Sequence, residues 1–206
     1  MNRKTSISML AVAFAVVIVA GCGTAASPSS SAAGGTSSAA PAATLHNDAD
    51  VAFVNGMIPH HMQAVAMSRL AAGRVASSKV SELAAQITQA QGPEITQLQG
   101  FLQAWNVAAA PTGSMGGTSG MAGMEHGGAT SGMMSDQQMQ QLGAANGAVF
   151  DRMFLQMMIE HHTGAVAMSQ AEVRDGQSSD AKALAQKIIA AQQAEITTMQ
   201  QLLPTV

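Results

Sequence analysis

The sequence predicts an all-α protein, a four-helix bundle assembled from two copies of one helical hairpin with a long crossover between them. Three observations predict it. Residues 50–102 lie over 151–203 without a gap, at an offset of 101, and 23 of the 53 aligned pairs are identical. Within each copy the apolar residues recur at steps of three and four, the period of a helix with one buried face. Each copy is interrupted once, at Gly73 and at Asp175-Gly176, after which the period restarts.

Ahead of the repeats, Arg3 and Lys4 precede an apolar run from Ile7 to Ala20. That run has the form of a secretion signal and is short for a membrane span. It ends in Val19-Ala20-Gly21-Cys22, which resembles the lipobox of bacterial lipoproteins. The expectation is a signal over 1–21, cleavage before Cys22, and an extracytoplasmic protein held to the cell membrane by lipid on that thiol. Cys22 is the only cysteine, so no internal disulfide supports the fold. Residues 22–45 are Ser, Ala, Gly, Thr and Pro with little else, a composition that buries too little apolar surface to order itself, and they read as a tether.

The folded part is expected over 46–206, with repeat one at 47–105, a crossover at 108–135 and repeat two at 136–203. In the first helix of each copy Phe53, Met57, His60, Ala64 and Met67 share a face, as do Phe154, Met158, His161, Ala165 and Met168. The second helices carry Leu83, Ile87, Ala90 and Leu98, or Leu184, Ile188, Ala191 and Met199. Ser78 and Ser179 are expected as their caps, and Ser135 with Gln138 as a capping box opening the third helix. Pro59 and Pro93 each delete one intrahelical bond and are expected to bend the first copy locally; their counterparts are Glu160 and Ala194. A two-helix hairpin leaves much of its apolar face in water, whereas two hairpins together enclose one core. The Gly- and Ser-rich crossover, at about 3.3 Å per residue, reaches the full length of such a bundle.

Composition narrows the chemistry. Loss of Arg3 and Lys4 with the signal leaves 7 basic against 12 acidic residues, a net charge of about −5, which argues against a nucleic-acid partner. Met1 and Met9 also leave, so the mature chain keeps 14 methionines and 6 histidines. Thioether is a soft ligand suited to Cu(I), and imidazole serves Cu(I) and Cu(II) alike. A thioether also survives outside the cytoplasm, where a free thiolate is oxidised. Copper is therefore the expected ligand, with Cu(I) favoured over Cu(II).

Position supports that expectation. Met57 lies one helical turn from His60 and His61, and Met158 stands in the same relation to His161 and His162, with Cβ atoms about 5–6 Å apart. Met67 and Met168 lie about 10 Å further along their helices and are expected as metal ligands of a second layer or a separate site, with core packing, which methionine also suits, as the alternative. Asp50, Glu94, Asp151 and Glu195 are the acidic groups expected to stand behind the ligands and orient them. The crossover adds Met115, Met121, Met124, His126, Met133 and Met134 in a segment with no core to fill, which reads as further soft ligands.

The doubled pattern of Asp50, Phe53, Met57, His60-His61, Ala64 and Met67, repeated from Asp151 to Met168 with the Glu94-Ile95 and Glu195-Ile196 pairs, resembles the bacterial domain-of-unknown-function family 305 over about residues 47–203. The resemblance implies a ferritin-like four-helix bundle. It also implies copper handling, with Met57, His60, His61, Met158, His161 and His162 at the matched positions. Pro59 fits the family pattern and Glu160 departs from it.

Two rivals remain open. A di-iron oxidase would suit the scaffold but needs Glu-x-x-His, and Glu160, Glu94 and Glu195 are followed three places later by Thr163, Gln97 and Thr198. A structural or partner-binding lipoprotein without metal is the other. Copper binding needs no turnover, and no Ser/His/Asp or thiol arrangement can be picked out, so an enzyme is not expected. The low charge content and Ala-rich helices permit a homodimer without requiring one.

Overall fold

Asn47 opens the first helix, because its side chain accepts from the N–H groups of Ala49 and Asp50 while the Asp50 carboxylate accepts from Asn47 N–H at 2.6 Å. This capping box starts α1 (Asp48–Arg69). The structure, a computed structural model, describes residues 45–110 and 131–206. After α1 come α2 (Ser78–Ala104), α3 (Asp136–Ala144), α4 (Gly147–Asp175) and α5 (Ser179–Leu202), with a 3₁₀ turn at Leu203–Thr205. The described residues are all-helical and contain no strand. Neither Pro59 nor Pro93 ends its helix; α1 and α2 run through them.

Two local expectations are corrected. The Ser135–Gln138 capping box is present, yet the helix it opens is the nine-residue α3, and the long third helix of the bundle starts only at Gly147. The break falls where Gly147 adopts φ +60°, a backbone shape that glycine enters without a Cβ penalty. The caps of the second helices are Ser77 and Ser178, one residue earlier than expected. Ser178 accepts from Ala181 N–H, whereas Ser77 makes no side-chain capping bond.

What caps α2 is Asp151 of the other repeat, which accepts from Ala76 N–H at 3.1 Å and Ser77 N–H at 2.8 Å. Its counterpart Asp50 accepts from Gln177 N–H at 3.0 Å and Ser178 N–H at 2.9 Å ahead of α5. Each hairpin thus closes the helix end of its partner with a buried carboxylate at the positive end of the helix. Asp50 and Asp151 therefore hold helix ends together and not imidazoles, which corrects the expectation placed on them.

α1 packs on α2 and α4 on α5, and the hairpins meet through α1 against α4 and α2 against α5. Asn47 at the start of α1 donates to Asp175 O at the end of α4, and Gly147 N–H at the start of α4 donates to Arg74 O just past α1. The two first helices are therefore antiparallel, related by an approximate two-fold axis. The interior divides into two apolar clusters that this axis exchanges. Phe53, Met57, Leu98, Ala165, Met168, Leu184 and Ile188 fall in one, and their counterparts Phe154, Met158, Met199, Ala64, Met67, Leu83 and Ile87 in the other. Every cluster draws on both repeats, so neither hairpin has a core alone.

Glu172 breaks the symmetry. Its counterpart is Ala71, and it lies buried beside Asp50. Burial, then a hydrogen bond to Asp50 and repulsion from it, push the Glu172 carboxyl up to about 8. For Asp50 burial acts upward, but the bond from Glu172 and the backbone N–H groups of Gln177, Asn47 and Ser178 outweigh it and hold the carboxyl below its usual value. A carboxyl raised on folding contributes stability that is complete below its unfolded value of 4.5 and is lost as pH rises through about 8. Glu172→Gln, which mimics the protonated form, is expected to leave the melting temperature nearly unchanged at pH 5 and to raise it by several degrees at pH 9. Thermal denaturation of both proteins at the two pH values checks this, and an equal difference at both would refute it.

Candidate metal centre

Between the two apolar clusters lies a layer of imidazoles. His60 and His61 on α1 and His161 and His162 on α4 are each 0% exposed. Adjacent histidines on a helix diverge by about 100°, so one ring of each pair faces across the α1–α4 contact and the other faces the second helix of its own hairpin. The rings of His60 and His161 meet at the two-fold axis, with centroids 3.8 Å apart and planes at 45°. His61 Nε2 lies 2.8 Å from Glu94 Oε2 on α2, and His162 Nε2 lies 2.7 Å from Glu195 Oε2 on α5. Each glutamate thus meets one histidine of its own hairpin, with its carboxylate about one-fifth exposed. His60 Nε2 has a different partner, the backbone carbonyl of Ser131, at 3.0 Å.

Three rings therefore share one arrangement, with Nε2–H donating to an oxygen and Nδ1 left with no hydrogen-bond partner among the described residues. His161 has neither nitrogen partnered among these residues. An acceptor on one ring nitrogen fixes the tautomer and aims the lone pair of the other, which is how metal-binding imidazoles are oriented. Burial, with the charges of His61 and His162 adding to it and the Ser131 bond opposing, lowers His60 to about 4. His161 is driven well below the usual histidine value by burial first and then by the three neighbouring histidines. Both rings are neutral at neutral pH, the form that binds metal.

Met57 and Met158 are fully buried one turn from the histidine pairs. Met67 and Met168 sit in the apolar clusters further along, Met67 with Phe150 and Phe154 and Met168 with Phe53 and Leu184. Met134 is buried against the cluster of Met67, and Met133 is half-buried. Cys22, Met115, Met121, Met124 and His126 lie outside the described residues. Sequence reasoning passed over Gln63, which fastens the backbone of Met134, and the buried pair Gln91 and Gln192, whose side-chain atoms have no partner among the described residues. Their signal was a polar residue on an otherwise apolar helix face.

The donor set fits a soft ion better than a hard one. Among the described residues no three His, Cys, Asp or Glu side chains converge around one point. Two metal–nitrogen bonds of about 2.0 Å in line would set the ring centroids about 6 Å apart, further than the 3.8 Å at which they lie. An ion held by His60 and His161 must lie to one side of the pair, where sulfur from a neighbouring turn can complete a low-coordinate site.

Residues 50–203 match the sequence profile described as Domain of unknown function (DUF305). The chain belongs to the DUF305 family. Among solved structures it resembles a DUF305 protein of Streptomyces coelicolor described as secreted, at 30% identity and TM-score 0.66, covering 76% of this chain and 93% of that one. It also resembles a DUF305 fragment of Deinococcus radiodurans, at 27% identity and TM-score 0.65, covering 78% and 98%. A third likeness is to CopM in its Cu(II)-bound form, at 27% identity and TM-score 0.62, covering 76% and 96%. CopM is also known in a Cu(I)-bound form. Among curated proteins none matches the sequence.

Within this DUF305 bundle the glutamates have a measurable share of the stability. Glu94→Leu or Glu195→Leu leaves a buried imidazole N–H without its acceptor, which costs about 1–3 kcal/mol. Urea denaturation is expected to show the loss in each single variant, and an unchanged midpoint in both would remove the glutamates from this role.

Proposed function

We propose that this chain is an extracytoplasmic copper-binding protein that sequesters, stores or passes on copper through Met and His ligands, without turnover. The observation that carries the reading is the buried layer of His60, His61, His161 and His162, neutral or tied to an acceptor, with Nδ1 atoms unpartnered among the described residues. Met57 and Met158 flank it and supply thioether sulfur from the same helices. The likeness to CopM, which is known in Cu(II)-bound and Cu(I)-bound forms, supports copper as the ion. The secreted relative and the signal-like first residues support an extracytoplasmic place, with a lipid on Cys22 as the anchor. No helix among the described residues is long and apolar enough to cross a membrane, so the lipid would be the attachment of this part of the chain. Met115, Met121, Met124, His126 and Met133 are proposed as additional soft ligands that raise the capacity above the single central site.

A di-iron oxidase is disfavoured because Glu94 and Glu195 are engaged with one histidine each and lie on α2 and α5 without a third carboxylate beside them among the described residues. Purified mature protein is expected to retain more than one equivalent of Cu(I) in competition with a chromophoric Cu(I) chelator. Met57→Leu with Met158→Leu conserves core volume. It is expected to weaken the tightest site at least tenfold for Cu(I) while leaving the circular dichroism unchanged. Replacing all four histidines by Ala abolishes that site. If the wild type surrenders all its copper to the chelator, the reading is lost; elemental analysis of protein taken from its native membrane separates copper from iron and from no metal.

A further inference from the structure

The end of the crossover is fastened across the imidazole layer. Gln63, one turn beyond His60, donates from its amide nitrogen to Met134 O at 2.8 Å and accepts from Met134 N–H at 2.7 Å, both bonds buried. Three residues earlier, the Ser131 carbonyl accepts from His60 Nε2 at 3.0 Å. Between these points the backbone passes over α4 so closely that a Cβ on Gly164 would overlap the Ser131 carbonyl. A Cβ on Gly132, which adopts φ +78°, would stand 2.5 Å from Glu160 O.

Gln63 and Gly164 occupy equivalent positions in the two repeats. One grips the strap and the other makes way for it. Among the described residues nothing equivalent reaches His161, whose two ring nitrogens are both without a hydrogen-bond partner there. For His61 and His162 the acceptor is a glutamate of the same hairpin; for His60 it is a backbone carbonyl delivered from the crossover.

We propose that the Ser131–Met134 strap, latched by Gln63 and admitted by Gly164, fixes His60 in its Nε2–H tautomer with Nδ1 open, and that Gln63 is thereby a positioning residue for copper binding. Its consequence for copper rests on the function proposed above, but the tautomer can be read without metal. A backbone acceptor is as effective as a carboxylate at orienting an imidazole, and loss of such a partner lowers metal affinity by about 10–100-fold.

The experiment uses the full mature chain and the variants Gln63→Leu and Gly164→Ala, with Gln156→Ala on the exposed face of α4 as control. Nitrogen–proton correlation spectra of the histidine rings are recorded on metal-free protein, and Cu(I) affinity is then measured by chelator competition. Wild type and control are expected to show His60, His61 and His162 as Nε2–H tautomers. In the two strap variants His60 is expected to exchange between tautomers while His61 and His162 stay fixed, which also reports that the bundle is intact, and Cu(I) affinity falls by about 10–100-fold. An unchanged His60 tautomer in both variants overturns the proposal, as does a freed tautomer with wild-type copper affinity. A wild type that binds no copper sinks the functional reading, and the ring spectra alone then decide whether the strap positions His60.

Discussion

The structure turns on an unfavourable feature, namely ring nitrogens buried at the centre of the bundle without hydrogen-bond partners. Leaving a buried polar atom unmet costs about 1–3 kcal/mol, and the described residues leave five such nitrogens on four histidines. Well-packed apolar side chains at the same positions would make a more stable bundle, by the reasoning that applies to other buried polar groups. Stability therefore does not explain the layer. Met57 and Met158 stand one turn from the layer, and an acceptor on Nε2 holds His60, His61 and His162 in one tautomer, with Nδ1 unpartnered among the described residues.

The rest of the fold serves to make that arrangement tolerable. The two apolar clusters lie one on each side of the layer, and each is built from both repeats, so the hairpins cannot separate without losing both cores at once. The crossed caps by Asp50 and Asp151 act in the same direction, each tying the start of a second helix to the other hairpin. Rigid placement of α1 against α4 then fixes the separation of His60 and His161 at the axis. The departures from symmetry, Gln63 against Gly164 and Glu172 against Ala71, lie at the places where one half does something the other does not.

The repeat, the hairpins, the histidine pairs and the glutamates behind His61 and His162 were all legible in the sequence. Each is carried by local periodicity or by a pattern that occurs twice, and a pattern written twice is informative even without knowing how the copies meet. What was illegible depended on their meeting. Asp50 and Asp151 looked like members of the site because they recur in register with it, whereas their partners lie 128 and 74 residues away at the start of the opposite hairpin's second helix. Gln63 bonds a backbone 71 residues distant, and nothing in its neighbours in the chain indicates that. The start of the long third helix was misplaced because a sound capping box at Ser135 and a helix break at Gly147 stand close together, and the cap gave the more visible signal.

X-ray absorption at the copper edge of the full mature protein, loaded with one equivalent of Cu(I), addresses the buried layer most directly. Imidazole nitrogen at about 2.0 Å together with sulfur at about 2.3 Å is expected around the ion. Sulfur alone around the ion, with no imidazole scattering, would place it elsewhere and contradict the buried layer as the copper site.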